Sequence, residues 1–260
     1  MTTHHVDVTS THAVDRPRGR RWRLLTLAVA LGMSWFAVVW IARLLEPLHS
    51  FSDEWWPTAS IWRLVVGCLL YLVVVPIVWR RFFPDSWGRI TGLRAPTTRA
   101  QWLWTLAILL TVLVPSLAFV GGVGKLSAAL AGPVLVFAAL QPPVVEEVLM
   151  RGLFVTVCER GGFGPLLTTL AGTAVFTVWH VVSFDLANGL ITGLFSIPFF
   201  YVTLYLTGTT LVPIVIHLVA NAGAFNGFAI MALLVVELVA AVVWFVARRR
   251  RERVVSPAPA

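Results

Sequence analysis

Runs of about 20 apolar residues dominate the chain, and such a run has few ways to fold in lipid. Hydrocarbon offers no partners to backbone N–H and C=O groups, so each run must close its own hydrogen bonds as a spanning helix. Eight runs are read, at approximately 24–45, 60–79, 102–121, 133–158, 165–183, 189–207, 209–224 and 228–247. Apolar residues make up 58% of the chain and charged residues 12%, about half the charged share of a soluble domain. An ordinary cytosolic globule is excluded. The expected fold class is all-α, a polytopic membrane helix bundle, with a single membrane domain over 22–247 between basic tails at 1–21 and 248–260.

A net charge of +8 would suggest nucleic acid in a soluble protein, but here the arginines sit beside the apolar runs and act as topology signals. Arg16, Arg18, Arg20, Arg21 and Arg23 precede the first run; Arg80, Arg81, Arg89, Arg94 and Arg99 fill the loop after the second; Arg248 to Arg251 and Arg253 follow the last. Arg160 belongs to the same side, whereas the opposite side has Lys125, with Arg43 and Arg63 near helix ends and the acidic pair Asp53 and Glu54. The positive-inside rule therefore places both termini in the cytoplasm, which an even number of helices satisfies. A multi-pass protein of a bacterial-type plasma membrane is expected, with lipid as its surroundings and no nucleic-acid partner. The first run resembles a signal sequence but is long and lacks a small-residue cleavage site, so it is read as an uncleaved helix. Trp22, Trp55, Trp56, Trp79, Trp87 and Trp102 fall at predicted helix ends and are read as interface anchors. Cys68 and Cys158 have no metal or disulfide spacing.

Ionisable groups within apolar runs are costly and therefore point to function. The fourth run reads Gln141-Pro142-Pro143-Val144-Val145-Glu146-Glu147-Val148-Leu149-Met150-Arg151-Gly152. Glu147 and Arg151 stand i,i+4 with the acid first, the favourable order for a helical ion pair. Glu146 lies about 100° around the helix and must look to another helix for a partner. The fifth run supplies His180, four residues after Phe176, and the seventh supplies His217 and Asn221 on one face. These are the only histidines within the predicted runs. At a rise of 1.5 Å per residue, Glu146, His180, His217 and Asn221 fall about 18, 22, 12 and 18 Å from the predicted cytoplasmic helix ends, within one layer. Pro142 and Pro143 cannot donate backbone hydrogen bonds, so a break or kink that admits water is expected there. Glu237, in the last run, belongs to no pattern, and Gly189 and Gly193, like Gly121 and Gly124, read as close-packing or turn positions.

Glu-Glu-x-x-x-Arg at 146–151, Phe-x-x-x-His at 176–180 and His-x-x-x-Asn at 217–221 resemble the motifs of the CAAX protease and bacteriocin-processing family, also called the Abi or Rce1-like family. The resemblance covers about 133–224. It implies an intramembrane endopeptidase in which Glu146 activates water, His180 positions or polarises it, His217 and Asn221 stabilise the oxyanion, and Glu147 with Arg151 holds the site. It implies as substrate a membrane-associated peptide or protein, with lipidated CAAX tails and bacteriocin or immunity factors as candidate classes.

Other readings share these residues. Glu146, His180 and His217 could ligate Zn2+ with an open fourth position, although an Asn beside the second His suits an oxyanion hole better, and no cofactor is the favoured expectation. Buried Glu and His also mark transporters and proton relays, but no second half resembles 141–152. An inactive immunity scaffold would normally have lost a catalytic residue. The basic asymmetry makes one direct prediction: reporter fusions at positions 10 and 255 will both report the cytosol, and opposite locations would overturn the even helix count.

Overall fold

The computed structural model describes residues 18–45, 63–118, 133–183, 186–191, 193 and 197–221, and beyond these only positions 235, 238, 239 and 242. All regular structure among them is helical. In chain order, α1 is Arg18–Leu45, α2 is Arg63–Arg80 with a π-helical middle at Leu69–Val74, α3 is the short Trp87–Thr91 and α4 is Arg99–Ala118. The next helix, α5, is built of Pro133–Glu147, a π-helical stretch Val148–Leu153, and Phe154–Arg160. It is followed by α6 at Pro165–Ser183, α7 at Leu186–Ile191, α8 at Ile197–Thr207 and α9 at Leu211–Asn221.

Four of these helices contain segments long and apolar enough to cross a membrane: Gly19–Val39, Arg63–Arg80, Arg99–Ala118 and Pro165–Val182. Their outward faces are hydrophobic. On α4, Leu103, Leu106, Leu110 and Val114 recur at helical spacing and are exposed, the pattern a helix shows when lipid covers one side. Within the expected run at 189–207, α7 ends at Ile191 and α8 begins at Ile197 with Pro198 in its first turn, where its missing N–H costs nothing; of the residues between them only Gly193 is described. Apart from positions 235, 238, 239 and 242 the run at 228–247 lies outside the described residues, as do Glu237, Gly121, Gly124, Trp55 and Trp56.

The core forms where α5 is wrapped by its neighbours. Its Val148, Leu149, Met150, Leu153 and Phe154 are fully or almost fully buried, together with Tyr71 of α2 and Tyr201 of α8. Helix α1 packs along the second half of α5, α6 packs on α1, and α9 packs on the first piece of α5 while α4 supports α8 and α9. Gly152 sets one of these approaches: a Cβ there would collide with the Thr91 backbone, so the lack of a side chain lets α3 seat against α5. Gly189 and Gly193 likewise lie against Val181 and Thr177 of α6.

Two sequence expectations are corrected. Helix α5 runs on through Pro142 and Pro143 unbroken, and its irregular geometry comes just after the two glutamates, in the π-helical stretch. Such a stretch inserts a residue into the hydrogen-bond ladder and re-aims the side chains around it, so it takes the place assigned to a proline break. Trp79 is not an interface anchor but is buried, stacked on Phe83 at 4.2 Å, with its indole N–H donating to Asp85 at 3.0 Å. Trp22, Trp87 and Trp102 are exposed, as anchors would be.

The 81–98 loop ties the ends of several helices together. Buried Asp85 accepts from Arg160 Nε at 2.9 Å and from Arg160 Nη2, and pairs with Arg89 at 3.6 Å. Arg160 and the arginine-rich loop therefore share one end of the bundle. Thr156 Oγ1 donates to the Arg89 carbonyl at 3.1 Å, Thr210 N to the Gly92 carbonyl at 3.0 Å, and Arg94 Nε to the Gly208 carbonyl at 3.0 Å. Burial raises the Asp85 carboxyl, but the Arg160 and Trp79 hydrogen bonds and the charges of Arg160 and Arg89 outweigh it and hold the group below the usual carboxylate range. A depressed native value means stability that is present above the unfolded carboxylate value, about 3.9, and is lost as pH falls through the folded one. Asp85→Asn will therefore lower the melting temperature in detergent at pH 7, a cost of about 1–3 kcal/mol, and the gap to wild type will close on acidification below about pH 4. An unchanged melting temperature at pH 7 would show that the loop contributes no cohesion through this residue.

Candidate active site

Three helices contribute the polar groups. Glu146 and Glu147 end the first piece of α5, and the π-helical stretch follows at once. His180 stands near the end of α6, and His217 and Asn221 stand one turn apart at the end of α9. Because α9 packs on the first piece of α5, the second histidine meets the second glutamate.

Glu147 and Arg151 are fully buried, with Arg151 Nε 3.3 Å from Glu147 Oε2 and Nη1 donating to Oε1 at 3.4 Å. The same Oε1 lies 2.8 Å from His217 Nδ1. A carboxylate oxygen can only accept, so Nδ1 carries the proton and Nε2 is the nitrogen with which His217 can address a substrate. The Arg151 guanidinium is further enclosed by aromatic faces, 5.0 Å from the Phe176 ring centroid and 5.0 Å from that of Tyr201. Cation–π contact on both rings helps a buried guanidinium tolerate the loss of water. The Tyr201 hydroxyl donates to the Met150 carbonyl at 3.2 Å, within the π-helical stretch.

His180 is fixed by its own helix. Its Nδ1 lies 3.0 Å from the Phe176 carbonyl oxygen, and its ring packs on Phe176 with centroids 4.6 Å apart. A carbonyl accepts, so Nδ1 is protonated and Nε2 is the nitrogen that can address water. His180 and His217 are close enough to interact electrostatically, and each of them also feels a charged residue of α5: Arg151 for His180, and Glu146 for His217. Glu146 is half-buried and lies in the field of His217, Glu147 and Arg151. Asn221 is exposed at the last residue of α9, on the His217 side of the helix. Thus Glu146, Glu147, Arg151, His180 and His217 share one neighbourhood, and Asn221 stands at its edge.

Zinc would need a converging donor set. Among the described residues no three His, Cys, Asp or Glu are placed to hold one ion; both Nδ1 atoms are on oxygen acceptors, which leaves each Nε2 as the nitrogen that a metal would take. Sequence reasoning missed Tyr201 and the stacking role of Phe176; only Phe176 had a sequence signal, its place four residues before His180.

A bundle of apolar helices with carboxylates and histidines gathered in its interior defines a polytopic membrane protein with a buried acid–histidine centre. Residues 128–223 match the family model described as type II CAAX prenyl endopeptidase Rce1-like, a segment that contains all seven motif residues. This is the Rce1-like family that the motifs resemble, and it supports a CAAX protease-like enzyme acting on a membrane-associated peptide. No curated protein and no solved structure matches the chain.

The geometry separates the two glutamates. Removing one partner of a buried ion pair costs about 3–5 kcal/mol, so Glu147→Gln will destabilise the protein strongly, whereas Glu146→Gln, at a half-buried position, will cost less than about 1.5 kcal/mol. Thermal unfolding of both variants in the same detergent checks this, and equal losses would show that Glu147 does not hold the bundle.

Proposed function

We propose that the protein is an intramembrane endopeptidase that hydrolyses peptide bonds near the C terminus of CAAX-type, lipid-attached substrates, with Glu146 as the base for water. The observation that supports this most directly is the division of labour between adjacent carboxylates. Glu147 is engaged by Arg151 and His217, whereas Glu146 is less buried and lies in the field of His217.

In the proposed reaction Glu146 removes a proton from water as its oxygen attacks the scissile carbonyl carbon, and the carbonyl electrons move onto oxygen. His180, oriented by the Phe176 carbonyl, accepts a hydrogen bond from that water through Nε2. The oxyanion is stabilised by Asn221 and by His217 in its imidazolium form, which donates from Nε2 while Nδ1 donates to Glu147. Collapse of the intermediate re-forms the carbonyl and breaks the C–N bond, and protonated Glu146 gives its proton to the leaving amine. Electrostatic stabilisation of this kind acts strongly in a low-dielectric site, where the donors are already oriented.

Glu146→Gln keeps size and polarity but removes the base. Cleavage of a fluorogenic prenylated CAAX peptide will fall at least about 100-fold while the folded protein persists, and retained cleavage would assign the base elsewhere. A metal-independent mechanism also predicts that a chelator leaves turnover unchanged and that active enzyme holds far less than one zinc per chain. Turnover that is abolished by chelation and restored by zinc would replace the glutamate mechanism with a metal one.

A further inference from the structure

The π-helical stretch of α5 shifts one backbone donor away from its usual acceptor. At the end of the stretch Phe154 N donates to the Leu149 carbonyl, five residues back. In an α-helix that N–H would bond to the Met150 carbonyl, and Met150 is fully buried. A buried carbonyl needs a donor, and water cannot reach this one. The Tyr201 hydroxyl of α8 is such a donor, 3.2 Å from the Met150 carbonyl oxygen.

The surroundings hold the phenol in this position. Tyr201 is itself fully buried, and its ring centroid lies 5.0 Å from Cζ of Arg151, the residue after Met150. One side chain thus meets α5 twice, at a backbone carbonyl and at the neighbouring guanidinium. On α6, Gly172 leaves the space for the hydroxyl: a Cβ there would overlap the Tyr201 hydroxyl oxygen. Phe176 and His180 follow Gly172 at steps of four residues, which keeps all three towards one side of the helix. That side of α6 therefore makes room for the Tyr201 hydroxyl, covers Arg151 one turn later with the Phe176 ring at 5.0 Å, and carries His180 a turn beyond, packed on Phe176.

We propose that Tyr201 is a positioning residue for the histidine that stabilises the oxyanion. Its hydroxyl fixes the π-helical register of α5 at Met150, its ring seats the Arg151 guanidinium against Glu147, and Glu147 holds His217 through Nδ1. This rests on the reading of the site as a peptidase centre in which His217 acts on the oxyanion. If the stretch relaxed towards an ordinary helix, Arg151 would turn with it and draw Glu147 Oε1 away from His217. A misplaced donor weakens the chemical step and leaves substrate binding largely alone.

The test uses the full-length protein in detergent with a fluorogenic prenylated CAAX peptide. Tyr201→Phe keeps the ring on Arg151 but removes the donor to Met150. The expected result is a roughly 10-fold loss of kcat, with KM changed less than about twofold. A folded Tyr201→Phe that keeps kcat, or that loses activity through KM alone, would overturn the proposal. Gly172→Ala leaves Tyr201 in place yet crowds its hydroxyl, so it will lower kcat in the same way; an unchanged kcat there also tells against the proposal, even if Tyr201→Phe does not fold. A second measurement needs no turnover. Met150–Arg151 is the sole Met-Arg peptide in the chain, so methionine labelled with 13C at its carbonyl, together with 15N-labelled arginine, isolates one resonance. Tyr201→Phe will move that carbonyl resonance, and an unmoved one would overturn the hydrogen bond itself. If Glu146→Gln abolishes cleavage while Tyr201→Phe keeps it, the positioning role fails and the peptidase reading stands. If the wild-type protein cleaves no CAAX-type peptide, the peptidase reading fails and the catalytic role with it, whereas the resonance still decides the contact.

Discussion

The buried carboxylate of Glu147 is the interaction on which the arrangement of the bundle turns. An isolated anion in a low-dielectric interior is prohibitively costly, and so is an isolated guanidinium. Each is acceptable here because Arg151 lies one helical turn away and His217 reaches across from α9 to the same oxygen. The requirement is directional. If α9 slid or rotated against α5, Nδ1 of His217 would leave Oε1, so solvation of one acid fixes the relative placement of two helices that the sequence separates widely. The aromatic faces of Phe176 and Tyr201 extend this logic to α6 and α8, since both rings lie against the guanidinium.

From that constraint the contrast between the glutamates follows. Adjacent residues on a helix point about 100° apart, so the residue that satisfies the interior cannot also be the one that faces the reaction. Glu147 is turned inward, and Glu146 is left at a half-buried position in the field of His217, Glu147 and Arg151. The π-helical stretch begins directly after the pair and brings Arg151 within reach of Glu147 while Met150 offers its carbonyl to Tyr201.

Much of this was legible in the sequence because charge in an apolar run is rare and its spacing carries geometry. The i,i+4 relation of Glu147 and Arg151, the histidines of two other runs and their common depth all come from counting residues. Partnerships across helices do not. Nothing in the sequence distinguishes Tyr201 from other aromatics of the apolar runs, because its place against Arg151 and Met150 depends on which face of α8 meets α5. Trp79 misled for the same reason: proximity to a helix end predicts an interface, but Asp85, six positions later, turns back to accept its N–H. The prolines at 142 and 143 misled differently. Loss of backbone donors is certain, but whether a helix breaks depends on packing around it, and α5 continues.

The 81–98 loop grips α5 through Arg160 and Thr156 and grips the α8–α9 turn through Thr210 and Gly208. It thus works as a datum from which the depth of α9 is measured. His217 lies six residues beyond Leu211, the first residue of α9, about 9 Å along the axis, so a small tilt at the anchored end is carried to the histidine as a lever arm carries it. The accuracy of the buried chemistry is therefore set partly at the water-exposed end of the bundle, by residues that never approach the substrate.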